Sequence, residues 1–307
     1  MDACLKSKTV NYFFSEWTKV NTTLEAAIDA AIIMGTSNDT SNTDAFWIMG
    51  GENYQKTVLK DTMYLDVSDK NNKFLDGVQL PIRVYGHCAL NVKFSVVDNP
   101  NPIADGDYFQ AAIMMGGYEG KDRFRVDSTD KTYAYCKSHQ NINETICSKN
   151  NTDQYGWSEM PPIQSIKYGK KGFGHTYCTQ FIDETLCDGV CIIAHGTWNE
   201  FAEYFPLERC AKTGNECEGW KNEINGEQID VNSEADHALG GMTTLDNVPT
   251  LFLPLYDSNG PNGYDEKWTD VFQFKNYKWE RIEKLDNSRG SFVPISVPKD
   301  FLCTQPT

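Results

Sequence analysis

Ala45-Phe46-Trp47-Ile48-Met49-Gly50-Gly51-Glu52-Asn53 is an apolar run stopped by a glycine pair. Such a run reads as a buried strand, and the glycines mark a point where the backbone turns with positive φ or passes close to another chain segment. A second copy, Ala111-Ala112-Ile113-Met114-Met115-Gly116-Gly117-Tyr118-Glu119, places its glycine pair 66 residues further on. Two glycines after an apolar run also end ordinary hairpins, so the decisive question is whether the surrounding pattern repeats.

It does. Around the first copy, the stretch from Ala26 to Met34 precedes it, Asp61-Thr62-Met63-Tyr64-Leu65-Asp66-Val67 alternates like a half-exposed strand, and Lys73-Phe74-Leu75 leads to Leu80-Pro81. That makes a unit of four short strands. A second unit opens at Val84-Tyr85-Gly86-His87-Cys88-Ala89-Leu90, takes Arg123-Phe124-Arg125-Val126-Asp127 as its third strand and closes at Gly156-Trp157-Ser158-Glu159-Met160-Pro161-Pro162. A third opens at Gly172-Phe173-Gly174-His175-Thr176-Tyr177-Cys178, runs through Val190 to Gly196 and closes at Glu218-Gly219-Trp220-Lys221. The fourth opens at Ala235-Asp236-His237-Ala238-Leu239, contains Thr250 to Tyr256 and Thr269 to Phe274, and closes at Tyr277 to Ile282. Closing aromatics then fall at Trp17, Phe74, Trp157, Trp220 and Trp279, with intervals of 57, 83, 63 and 59 residues. The long interval holds a polar, cysteine-bearing insertion around Lys137 to Asp153.

This pattern resembles the kelch family of β-propellers, in which an opening strand with a small residue or His is followed by an apolar strand ending in Gly-Gly and a closing strand with Trp and then Pro. Gly50-Gly51 and Gly116-Gly117 match best, Trp157 with Pro161 matches the closing strand, and His87, His175 and His237 sit in the opening strands. His195-Gly196 and Leu253-Pro254-Leu255 replace the glycine pair in units three and four. The resemblance implies an all-β fold over residues 1–307, one propeller domain of four-stranded blades, since a ring lets each blade bury its faces against its neighbours. About five blades are expected, the last assembled from both termini. Val10 to Val20 would supply its outer strands, Gly290 to Ile295 and Lys299 to Cys303 its inner ones. In that arrangement Cys4 and Cys303 would be bonded as a clamp.

Composition bounds the function. A formal net charge of −15 over 307 residues argues against nucleic acid and anionic membranes as partners, and no apolar run approaches the roughly 18 to 20 residues of a membrane span. Ten cysteines without a Cys-x-x-Cys pair read as disulfides. Cys136 with Cys147, Cys210 with Cys217, and Cys187 with Cys191 lie close in sequence. The first two pairs are expected to tie an exposed loop and a hairpin turn, while the pairing of Cys88, Cys178, Cys187 and Cys191 stays open. Asn21, Asn38, Asn143 and Asn150 head Asn-x-Thr sequons, so the chain reads as a secreted, glycosylated monomer whose signal peptide has been replaced by Met1.

Chemistry is harder to place. Three histidines at like positions invite a metal reading, but the expectation is that they pack or hydrogen-bond between blades, with no metal or cofactor. The copper site of the galactose-oxidase relatives of this fold cannot be assembled by pattern. Asp105-Gly106-Asp107 and the run Asp257, Asn259, Asn262, Asp265 and Glu266 are oxygen-rich but lack calcium-loop spacing, and read as solvated turns. No nucleophile elbow, zinc-protease, P-loop or dinucleotide motif occurs. The expected function is binding of a small-molecule or protein ligand at the loop face or central channel. The alternative is a secreted enzyme oxidising a small organic substrate with oxygen. In mature size, cysteine usage and aromatic content the chain is similar to the secreted luciferases of marine invertebrates, a likeness of class and not of motif.

Overall fold

Alternation sets the orientation of the first strands. In β1 (Ala31–Thr36), Ala31 and Ile33 are buried while Ile32 and Met34 face outward; in β2 (Asp44–Met49), Ala45, Trp47 and Met49 are buried while Phe46 is exposed. Period two with large apolar residues on both sides is the signature of a strand meant to be covered on both faces. β1 and β2 pair antiparallel, followed by β3 (Thr62–Asp66) and β4 (Phe74–Asp76), in the order β1-β2-β3-β4.

The computed structural model describes residues 29–36, 44–66, 74–95, 108–136, 146, 156–164, 166–167, 170–172, 174–196, 202–213, 217, 219–222, 240–257, 265–276 and 278–285. After β5 (Val84–Tyr85) comes β6 (Cys88–Ser95), then β7 (Tyr108–Met115), β8 (Tyr118–Gly120), β9 (Val126–Ser128), β10 (Thr132–Cys136) and β11 (Trp157–Met160). The second four-stranded sheet is β6-β7-β10-β11, and β5, β8 and β9 form a small sheet of their own. β12 (Ile166–Lys167) and β13 (Lys170–Lys171) pair with each other. The third four-stranded sheet is built from β14 (Thr176–Asp183), β15 (Gly189–Gly196), β16 (Glu203–Phe205) and β17 (Lys221–Asn222), with α1 (Glu184–Cys187) joining the first pair and α2 (Leu207–Thr213) the last. The fourth is β18 (Gly241–Leu245), β19 (Val248–Asp257), β20 (Asp265–Lys275) and β21 (Lys278–Leu285). Each of the four sheets is an antiparallel meander in chain order.

The sheets stack in that order, with the core lying between them. Ile33, Trp47, Met49 and Tyr64 of the first meet Ala89, Met114 and Tyr133 of the second. The opposite face of the second, with Val92, Phe94, Ile113 and Met115, meets Cys178, Ile192, Ala194 and Phe205 of the third. The other face of the third, with Tyr177, Phe181, Ile193 and Tyr204, meets Met242, Leu251, Phe274 and Trp279 of the fourth. Opening strands touch in sequence, β1 with β6, β6 with β14 and β14 with β18. The closing tryptophans repeat one bond: Trp157 Nε1 donates to the Val78 carbonyl (3.3 Å), just past the first sheet, and Trp220 Nε1 donates to the Pro161 carbonyl (3.1 Å), just past the second.

Three expectations need correction. The third strand of the second sheet is Thr132–Cys136, not Arg123 to Asp127. The latter segment instead forms a turn and β9 on the side sheet, because Asp122 caps a tight turn there and Val84–Tyr85 offers β8 a separate edge. Cys210 and Cys217 are bridged, but Cys210 lies in α2, not at the foot of a hairpin. Pro206 precedes a run of good helix formers, and Lys212 pairs with Glu208 one turn back at 3.1 Å, so the segment winds before it returns. The opening strand of the fourth sheet is Gly241–Leu245, while Ala235 to Leu239 lie outside the described residues.

Candidate functional site

The glycine pairs bring the first three sheets into register at one face. Gly50 (φ +59°) and Gly51 (φ +91°) let the chain leave β2 so that Gly51 N donates to the Val84 carbonyl (2.8 Å) at the approach to β6. Gly116 (φ +64°) and Gly117 (φ +92°) do the same from β7, Gly117 N donating to the Gly174 carbonyl (3.0 Å) at the approach to β14. A second ladder runs between the strand entrances: Gly86 N donates to the Asp29 carbonyl (2.9 Å), and Thr176 N donates to the Gly86 carbonyl (2.8 Å). Both ladders equate residues 90 apart, Val84 with Gly174 and Gly86 with Thr176, and the Cys88–Cys178 disulfide has the same separation of 90.

This register separates the two glycine–histidine dipeptides. His87 is buried between the glycine pairs: a Cβ on Gly50 would stand 3.0 Å from its Cε1, and one on Gly117 would stand 2.8 Å from its Cβ. Burial alone pushes its pKa down to about 3, so the ring is neutral, and neither ring nitrogen has a hydrogen-bond partner among the described residues. Of the two roles expected for it, packing and hydrogen bonding, the described residues show packing. His175 sits two positions out of that frame, at the place equivalent to Tyr85. His237 lies outside the described residues. Among the described residues no group of three or more His, Cys, Asp and Glu could hold a metal ion.

What His175 joins is an aromatic cluster that the sequence did not single out. Tyr85 on β5 and Tyr118 on β8 stack with centroids 5.2 Å apart and an interplanar angle of 23°. The His175 ring meets both edge-on, 5.2 Å from Tyr118 and 6.0 Å from Tyr85 at 77°. Edge-to-face contact sets the positive rim of one ring on the negative face of another. Tyr85 is buried, Tyr118 and His175 half-buried. Burial raises the Tyr85 phenol pKa, Tyr118, Glu52 and Asp29 raise it further, and Arg123 opposes them.

Beside the rings lies a charged pair. Glu52, the residue after the first glycine pair, is fully buried, and its Oε1 accepts from Arg123 Nη1 (2.8 Å) and Lys56 Nζ (3.4 Å). Its Oε2 has no hydrogen-bond partner among the described residues. Because a buried carboxylate without its cation is strongly unfavourable, Arg123 ties the β8–β9 hairpin of the small side sheet to the loop of the first sheet. The backbone reinforces the tie: Val58 N donates to Lys121 O and Arg123 N to Lys56 O, both at 3.0 Å. The accessible part of this cluster is the half-buried Tyr118 and His175 rings and the exposed Arg123 guanidinium, backed from inside by buried Tyr85 and Glu52.

The remaining site residues divide as follows. Cys88–Cys178, Cys187–Cys191 and Cys210–Cys217 are bonded. Cys4, Cys147, Cys303, the side chain of Cys136, and Asn21, Asn38, Asn143 and Asn150 lie outside the described residues, as do Asp105 to Asp107 and the side chains from Asp257 to Glu266. No described helix is long and apolar enough to cross a membrane. Glu52 and Tyr118 each follow a glycine pair directly, a signal that could have marked them.

No protein-family model matches the chain, and no curated protein matches it. Among solved structures, one titled "Structure of YjhT", a β-propeller-type protein, is similar over 87% of this chain and 73% of that one, with a TM-score of 0.50 and 14% identity. At that identity the likeness concerns the fold alone: an all-β arrangement of several four-stranded antiparallel sheets.

Proposed function

We propose that this chain is a secreted kelch-like β-propeller that binds a small-molecule or protein ligand on the face carrying Tyr85, Tyr118 and His175. The architecture is a ring of about five four-stranded blades, the last drawn from both ends of the chain. In-order stacking of four meander sheets through their opening strands supports it, as does the likeness in fold to YjhT. Three disulfides among the described residues suit an oxidising compartment. The observation that carries the binding reading is the aromatic trio beside buried Glu52, where the entrances of β1, β6 and β14 are bonded together. Aromatic surface with a few fixed polar groups is the usual make-up of a ligand site.

The test is a thermal-shift screen of small molecules and secreted proteins, repeated with Tyr118→Ala and His175→Ala. A ligand that raises the melting temperature of the wild-type chain, and whose effect is lost in both variants while they remain folded, supports this reading. Oxygen uptake or light emission with aromatic or luciferin-type substrates, abolished under anaerobic conditions, would transfer the protein to the oxidising class.

A further inference from the structure

Beyond the aromatic trio, the same face carries a feature that the binding reading does not use. Phe124 is 84% exposed, the most exposed large apolar side chain among the described residues. A single exposed hydrophobe is ordinary. The backbone beneath this one is tied into a turn: Asp122 Oδ1 accepts from Phe124 N (3.1 Å) and the Asp122 carbonyl accepts from Arg125 N (3.0 Å), with Asp in the first position. Thr57 and Asp122 form a β-bridge, so the tip is fastened to the neighbouring loop, which exposes a second aromatic ring, Tyr54, at 66%.

The charge around the tip runs against that of the chain. Lys121, Arg123 and Arg125 are exposed and Lys56 lies on the bonded loop, four cations against the three carboxylates of Asp122, Asp127 and Glu52, in a protein of net charge −15. Glu52 engages Lys56 and Arg123 from below. Phe and Tyr flanked by Arg are the residue types that anchor protein interfaces, and a pre-formed turn loses little entropy when it is buried.

We infer that the Asp122–Arg125 turn is a docking finger that seats Phe124 in an apolar pocket of a protein partner whose rim is acidic. Charge complementarity selects an acidic rim, and the exposed arginine guides the encounter. The inference rests on the binding reading only in assigning the partner to this face.

The experiment uses the intact chain. A phage-displayed random peptide library is panned on the wild-type protein and counter-selected on the Phe124→Ala/Arg125→Glu double variant, and the enriched peptides are synthesised and titrated at two salt concentrations. Phosphatidylserine vesicles are titrated in parallel. The finger predicts enriched peptides with Asp or Glu flanking an aliphatic or aromatic residue. Phe124→Ala should weaken them roughly 30-fold or more, and Arg125→Glu should remove much of the salt dependence. Ile282→Ala, an exposed site on the fourth sheet, should change nothing. Enrichment of neutral or basic peptides, an absence of Phe124-dependent peptides, or Phe124-dependent binding to the vesicles alone would each overturn the inference. Loss of the finger together with a retained Tyr118-dependent thermal shift would leave the binding reading standing.

Discussion

Cys88 and Cys178 are bonded across the boundary between the second and third sheets, Cα to Cα 5.9 Å, although 90 residues separate them in the chain. Each lies near the start of its opening strand, so the bond fixes the entrance ladder covalently. The chain-entropy model gives a loop of this length about 4 to 5 kcal/mol, against about 2 kcal/mol for the four-residue separation of Cys187–Cys191. Replacing Cys88 and Cys178 with Ser should therefore lower the melting temperature more than replacing Cys187 and Cys191, as read by scanning calorimetry. Equal losses would mean that native contacts, not loop closure, set the contribution.

The glycine pairs give a sharper mutational contrast. At Gly50 (φ +59°) a Cβ would stand 2.6 Å from the Val84 carbonyl oxygen, which is backbone and cannot move aside without breaking the Gly51–Val84 bond. Gly50→Ala should cost more than the roughly 1 to 2 kcal/mol of left-handed strain alone. No described residue comes within 4 Å of a Cβ on Gly156, so Gly156→Ala should be neutral or slightly stabilising. Urea unfolding of the two variants decides it.

His87 sets an acid dependence. Its folded pKa of about 3 lies below the unfolded value of about 6.5, so as the pH falls below 6.5 the unfolded chain takes up a proton that the folded chain refuses. Stability contributed by the neutral ring is present above pH 6.5 and is lost as the pH falls toward 3, on the order of 2 kcal/mol between pH 7 and pH 5. In His87→Gln the difference in unfolding free energy between those two pH values should shrink by about that amount. An unchanged difference would show that the ring is not kept from protons.

The sheets were legible because their strands alternate and end in recognisable punctuation: the Gly50-Gly51 and Gly116-Gly117 pairs and the closing Trp157, Trp220 and Trp279 all fall where the repeat puts them. The side sheet was not legible, since Val84–Tyr85 and Tyr118–Gly120 are too short for periodicity and read as extensions of the long strands beside them. The histidines misled for a related reason. Gly86-His87 and Gly174-His175 look equivalent as dipeptides, yet backbone pairing aligns Gly86 with Thr176, and only long-range hydrogen bonds carry that two-residue slip. The site stayed hidden for the same cause, since Tyr85, Tyr118 and His175 come from three separate segments.

One face of the first sheet has no partner among the described residues, and the proposed ring would cover it. On the outer side of the first sheet, register lines up Ile32, Ile48 and Met63 in one row across the strands and Met34, Phe46, Leu65 and Phe74 in another, with Ile32 65%, Met34 53% and Phe46 39% exposed. This is an apolar grid of the kind that the inner sides use to pack sheet on sheet. In a closed ring it would be covered by the blade expected from Val10 to Val20 with Gly290 to Ile295 and Lys299 to Cys303, and a Cys4–Cys303 bond would clamp that blade, worth roughly 5 kcal/mol by loop closure before any native strain is subtracted. Hydroxyl-radical footprinting of the intact chain should then find Met34 oxidised slowly, like fully buried Met49. Exchanging Cys4 and Cys303 for Ser should raise the Met34 rate while leaving Met49 unchanged. Rapid oxidation of Met34 in the unmodified chain would mean that the face stays open and the ring does not close there. Non-reducing peptide maps that pair Cys4 or Cys303 elsewhere would remove the clamp but not the ring.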